Sequence, residues 1–149
     1  MRIADICTRS VVHVDADLSV RAAAVLMRKR HVGTLVVIEQ PNGERVPIGM
    51  VTDRDIVVTV VAPDVDINAL VVGDVMSTKL ITCTESQDIF DAVQLMQVNG
   101  VRRLPVVNRQ GGLCGMVSAD DILGTLGTYM QKLAHALSRE QMLEMEMRT

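Results

Sequence analysis

Two stretches of the chain place a hydroxyl and a carboxylate three residues apart, directly after an apolar run: Gly49 to Ile56, with Thr52 and Asp55, and Gly115 to Ile122, with Ser118 and Asp121. At the first turn of a helix such a pair can form a capping box, each side chain satisfying an orphan backbone N–H. A box favours Glu or Gln, whose longer arm reaches back to the cap, yet both copies carry Asp. Each also opens with Gly-Met-Val, and a glycine lets another group approach the backbone closely. These two details favour a ligand. A helix start offers a phosphate free N–H groups and a favourable dipole, and the hydroxyl adds a hydrogen bond. An Asp one turn in can accept from two vicinal ribose hydroxyls. Cap and nucleoside phosphate site are the two readings of the pair.

The elements that must position these residues are themselves duplicated. Residues 3–7 align with residues 72–76, and the same offset of 69 holds without a gap to Ile38 against Val107. Beyond the next loop the offset is 66. Two related units of about 55 to 60 residues are the simplest account of such self-similarity. Residues 11–14 and 80–83 are short strand candidates, followed by Asp17 and Ser86 at equivalent N-cap positions. Val20, Ala23, Ala24 and Met27 match Ile89, Ala92, Val93 and Met96 in the spacing of an amphipathic helix. Residues 35–38 and 104–107 read as buried strands, and turn-rich loops at 40–44 and 108–112 return the chain as hairpins into the strands that end at Thr52 and Ser118. Each unit therefore reads strand, helix, strand, strand, helix, an α/β (α+β) architecture. The expected organisation is a first unit over 1–62, a linker over 63–71, a second unit over 72–126, and a helical tail over 127–149. Gly124 and Gly127 should weaken the helix before that tail. The tail's apolar row, Leu126, Met130, Leu133 and Leu137, is expected to pack on the chain's own body, with a second copy of the chain as the alternative.

Composition narrows the chemistry. The chain is 48% hydrophobic but holds one Phe, one Tyr and no Trp, so a bound base must sit between aliphatic side chains. A net charge of −3 and this lack of stacking platforms disfavour nucleic acid as a partner. The three cysteines, Cys7, Cys83 and Cys114, are scattered and suggest buried free thiols of a reducing compartment rather than a disulfide framework or zinc site. His13, His31 and His135 have no metal-ligand spacing, and no catalytic motif or nucleophile with a base is visible. No run is long and apolar enough for a membrane span or a signal peptide. The expectation is a cytoplasmic protein that is not an enzyme and needs no cofactor or metal.

Residues 49–56, residues 115–122 and Val101 to Val107, in this order and duplicated, resemble a tandem pair of cystathionine-β-synthase (CBS) domains, a Bateman module, over roughly residues 1 to 126. The resemblance implies two domains packed about a pseudo-two-fold axis, with clefts for adenosine-containing ligands such as AMP, ADP, ATP, S-adenosylmethionine or NAD. Carried over by position, Thr52 and Ser118 contact phosphate, Asp55 and Asp121 the ribose, and Val12 and Ile81 help enclose the base. Arg102 and Arg103 face a phosphate or are solvated surface. Gly33 and Thr34 replace them in the first unit, so the clefts should be unequal. The implied role is a stand-alone regulatory homodimer acting on a further protein, its ligand bridging the two helix starts. A structural or interaction module without a ligand is the alternative.

Overall fold

The computed structural model describes residues 1–148. The first unit contains β1 (His13–Asp15), α1 (Val20–Arg30), β2 (Thr34–Glu39), β3 (Val46–Thr52) and α2 (Asp53–Ile56), which runs on as a π-helical stretch, Val57–Val61. A short helix, α3 (Val72–Val75), opens the second unit, followed by β4 (Cys83–Thr84), α4 (Ile89–Asn99), β5 (Arg103–Val107), β6 (Leu113–Ser118) and α5 (Ala119–Met147). The two sheets have the same plan: β1 lies parallel to β2 and β2 antiparallel to β3, as β4 does to β5 and β5 to β6. The repeated strand, helix, strand, strand, helix order is present in both halves.

β2 and β5 are the central strands, and their unbroken apolar runs follow from being covered on both faces. Leu35, Val36, Val37, Leu104 and Val106 are fully buried. α1 lays Val20, Ala23 and Met27 on its sheet with Ala24 partly buried beside them, and α4 lays Ile89, Ala92 and Met96. Val93, expected on that face, is 41% exposed, and Leu95 packs on the core instead.

The caps differ from the sequence expectation. Ser19 caps α1, accepting from the Ala22 N–H at 3.1 Å, and Asp88 caps α4, accepting from the Phe90 N–H at 3.0 Å. Asp17 and Ser86 instead occupy the tight turns that precede them, closed by Leu18 N–H to Asp15 O and Gln87 N–H to Thr84 O. The buried faces begin at Val20 and Ile89, and a cap must stand immediately before them.

The larger departure is where residues 3–7 and 72–76 go. Each lies against the other unit. Ile3, 0% exposed, belongs to the core of Cys83, Ala92, Leu104, Val117 and Ile122, whereas Val72, 0% exposed, belongs to the core of Val20, Leu35, Val51 and Val60. Backbone bonds seat both crossings identically: Ile3 N–H to Gln87 O and Ala4 N–H to Glu85 O are mirrored by Val72 N–H to Leu18 O and Gly73 N–H to Ala16 O. Thr8 and Met116 exchange a reciprocal pair of bonds, as do Ser77 and Met50. This matching of backbone contacts is the approximate two-fold relation between the units.

The tail is also not as expected. Gly124 and Gly127 lie inside an uninterrupted α5, because a helical glycine costs only about 1 kcal/mol and the helix continues well beyond both. Nor does the apolar row pack on the body of the chain: Met130, Leu133 and Leu137 are 72%, 64% and 57% exposed.

Candidate functional site

Both hydroxyl–carboxylate pairs are closed capping boxes. The Thr52 N–H donates to Asp55 Oδ2 at 2.8 Å, and the Asp55 N–H donates to Thr52 Oγ1 at 3.1 Å. In the second unit the Ser118 N–H donates to Asp121 Oδ2 at 2.9 Å and the Asp121 N–H to Ser118 Oγ at 3.1 Å, with the Ser118 hydroxyl also on Asp121 Oδ2 at 2.7 Å. The shorter Asp therefore does reach back, and its length is no argument against a cap. Only one oxygen of each carboxylate is used. Oδ1 of Asp55 and of Asp121 remains open as an acceptor.

The opening glycines have a different purpose from the one the sequence suggested. A Cβ on Gly49 would stand 2.7 Å from the carbonyl oxygen of Ser77, and one on Gly115 3.1 Å from that of Thr8. The group approaching each backbone is the crossing segment of the other unit.

Each capped pair borders its own cleft. One, of about 220 Å³, is lined by Thr52, Asp55, Ile81, Lys79, Arg102 and Arg103, with Thr34, Met50, Ser77, Leu80 and Val101. The other, of about 340 Å³, is lined by Ser118, Asp121, Val12, Thr34, Arg103 and His31, with Gly33, Ser10 and Met116 among the rest. Position by position these are the same site twice: Val12 answers to Ile81, Ser10 to Lys79, Gly33 to Arg102 and Thr34 to Arg103. Thr34 and Arg103 border both clefts, because β2 and β5 begin beside each other there.

All the residues singled out by sequence thus line one cleft or the other. Thr52 borders one of these clefts and Ser118 the other, rather than both facing one cleft between them. Each helix start is paired with the strand entry of the opposite unit. Lys79 and His31 join the clefts without a sequence signal that marks them as ligand residues. The offset of 69 places Lys79 where Ser10 stands in the other copy, as it places Arg103 where Thr34 stands.

The electrostatics of the clefts differ. The first gathers Lys79, Arg102 and Arg103 around Asp55; the second has Arg103 and His31 near Asp121. Arg102 reaches Asp120 at 3.7 Å, but both side chains are about 70% exposed, and such a pair contributes little. Arg102 and Arg103 remain at the protein surface, where they can meet an anion in solution. Among the described residues no group of His, Cys, Asp and Glu has the arrangement to hold a metal ion, and no helix is long and apolar enough to cross a membrane.

Two mixed sheets of one plan, exchanged leading segments and twin clefts at the strand entries define a tandem-repeat module. The chain belongs to the CBS domain family, whose model matches residues 3–62 and 72–127. Among curated relatives, the CBS domain-containing protein YhcV of Bacillus subtilis is 37% identical over 120 residues, 80% of this chain and 81% of that protein. An uncharacterized protein of Methanopyrus kandleri is 33% identical over 121 residues, 81% of this chain but only 60% of its own length. A solved CBS-domain protein from Burkholderia ambifaria superposes with a TM-score of 0.73 at 26% identity, covering 85% of this chain and 93% of that one. A CBS domain pair solved with 5′-methylthioadenosine and S-adenosyl-L-methionine superposes with a TM-score of 0.74 over 87% of this chain and 98% of its own, and at 19% identity that likeness is one of fold.

Proposed function

We propose that the chain is a non-catalytic sensor of adenosine-containing ligands, which enter the two clefts and change how the units or two copies of the chain pack. One observation carries this reading: each cleft joins an apolar wall, Ile81 or Val12, to a helix start whose carboxylate keeps an unused oxygen. Base, ribose and phosphate each find a complementary group there. The fold neighbour that holds S-adenosylmethionine and methylthioadenosine supports the choice of adenosine as the common element. Thr52 and Ser118 take the phosphate, Asp55 and Asp121 the ribose, and Arg102 and Arg103 a phosphate of the first cleft. The ligand signals only as far as it prefers one packing over the other.

A thermal-shift panel of AMP, ADP, ATP, NAD and S-adenosylmethionine tests the reading. At a hundred times Kd a ligand adds about 2.7 kcal/mol, which for a chain of this size raises Tm by roughly 5 to 10 °C. Absence of a shift with all five at millimolar concentration refutes it.

The closed capping boxes support a second reading, an interaction module without a ligand. Asp55→Asn and Asp121→Asn separate the two. An Asn oxygen still accepts the cap's N–H, so the unliganded Tm should fall by no more than about 2 °C. The amide cannot accept from ribose hydroxyls in the same way, and affinity should drop at least about tenfold if the carboxylates bind ligand. An unchanged affinity in both variants favours the capping role alone.

The module is proposed to act as a homodimer in the cytoplasm and to hand its state to a regulated protein through the exposed helices. The bare row on α5 is the dimer contact in this proposal. Leu133→Glu with Leu137→Glu should convert a dimer to a monomer in light scattering while leaving nucleotide affinity within about twofold. A mass that does not change removes α5 from the contact.

A further inference from the structure

All three cysteines of the chain, far apart in sequence, meet in the core of the second unit. Cys83 is buried on β4, Cys114 lies on β6, and Cys7 arrives on the N-terminal crossing segment. The equivalent positions of the first unit are Val14, Ile48 and Met76, which pack into its core in the same places. One half of the molecule is thus purely apolar where the other carries three thiols. A single buried cysteine is adequately explained as a small hydrophobe. That does not account for the concentration of every thiol at three positions that converge.

The local geometry brings Cys7 and Cys114 to one place. The Sγ of Cys7 lies 3.1 Å, and its Cβ 3.6 Å, from where a Cβ of Gly115 would stand, so Cys7 fills the space that this glycine leaves. Cys114 is the preceding residue, and it falls at the irregularity of the β5–β6 ladder, where Val106 pairs with Gly115 but Val107 with Leu113. Its Sγ is 3.4 Å from the carbonyl oxygen of Val106. Both residues are partly exposed, whereas Cys83 is 2% exposed. Arg9, paired with Glu85, bonds the Cys114 carbonyl oxygen at 3.4 Å, beside the two thiols.

We propose that Cys7 and Cys114 form an oxidisable dithiol, closing under peroxide to an intramolecular disulfide between the N-terminal crossing segment and β6. One thiolate attacks the peroxide: a sulfur–oxygen bond forms, the oxygen–oxygen bond breaks, and the leaving hydroxide takes a proton to become water. The second thiolate attacks the resulting sulfenic sulfur: the sulfur–sulfur bond forms and a second water leaves. Two thiols are oxidised by two electrons in all, and one peroxide is reduced to two waters. Cys83 stays out of the reaction, because burial pushes its thiol up to about 12. Burial also raises Cys7 and Cys114; Arg9 opposes this, while Glu85 acts with burial at both and Asp121 at Cys7. The reactive thiolate is therefore scarce at neutral pH, and the rate increases with pH. The bond fastens the strand segment at Thr8 to its partner Met116, and both residues line the second cleft.

The test uses the full chain, reduced and then treated with stoichiometric hydrogen peroxide. Two of three thiols should disappear under denaturing titration, the intact mass should fall by two hydrogens, and a non-reducing digest should join the peptides of Cys7 and Cys114. The rate should rise from pH 7 to pH 9, and dithiothreitol should reverse the change. The Tm should rise by more than about 4 °C. Cys83→Val, which installs the residue of the other unit, should leave all of this intact, and Cys114→Ser should abolish the link. Three persistent thiols, oxygen gained on one cysteine without a link, a link through Cys83, or a link only between chains each overturns the proposal.

Discussion

Replacing Ile3 by alanine is expected to destabilise the protein by about 3 kcal/mol, and to do so through the second unit, more than seventy residues away in sequence. Ile3 is fully buried among Cys83, Ala92, Leu104 and Val117. Truncating a buried isoleucine removes its transfer free energy and leaves a cavity, together about 2 to 5 kcal/mol. The crossing segment is held by backbone bonds to Glu85, Gln87 and Met116, which keep it in place while the cavity stays open. For a chain of this size the loss corresponds to roughly 6 to 12 °C in Tm. Hydrogen exchange locates the effect: protection should fall in β5 and β6, and much less in β2 and β3. Loss confined to β2 and β3 would contradict the exchange of segments.

The second large effect concerns charge in the first cleft. Lys79→Ser with Arg102→Gly converts that cleft to the lining of its counterpart, Ser10 and Gly33, and is expected to weaken ATP about 10- to 100-fold at low salt. Adenosine should be bound within about twofold of its original affinity. A hydrogen bond to a charged group contributes about 1.5 to 3 kcal/mol, and the surface exposure of both side chains places this pair at the low end. Raising the salt should narrow the difference between the parent and variant. Isothermal titration with the two ligands decides it. Equal losses for ATP and adenosine would mean that the substitutions damage the cleft rather than its charge selectivity. In the reverse exchange the exposed Asp53 carboxylate must swing aside, since a Cβ on Gly33 would stand 2.8 Å from Asp53 Oδ2.

The repeat made the fold legible. Periodicity in α1 and α4 and the apolar runs of β2 and β5 each occurred twice, so every element was read from two sequences. What could not be read was where the leading segments lodge. Ile3 and Val72 are apolar positions before a first strand, and that pattern is the same whether they pack on their own unit or on the other. The caps were displaced for a local reason: Asp17 and Ser19, or Ser86 and Asp88, are both competent caps, and burial of the next residue chooses between them. The cleft residues Thr52, Asp55, Ser118 and Asp121 were visible because hydroxyl and carboxylate recur at fixed spacing. Their grouping was not, because it depends on which strand entry each helix start faces. Lys79 carries no signal of its own, and the strand expected over residues 80–83 forms only at Cys83–Thr84. The cysteines appeared scattered because a separation of more than one hundred residues between Cys7 and Cys114 is no guide to distance in a fold whose ends cross over.

The two crossings are equal in space and unequal in time. During synthesis the first unit can complete its core soon after Val72 to Met76 emerge, since every other member of that core precedes them. Ile3 is made more than one hundred residues before its partners Val117 and Ile122, so it must wait for them. Closing so long a loop is slow, and until then the second core lacks one wall. The segment around Ile3 therefore works as a latch on the second core, and the early unit leaves the ribosome before the late one can close.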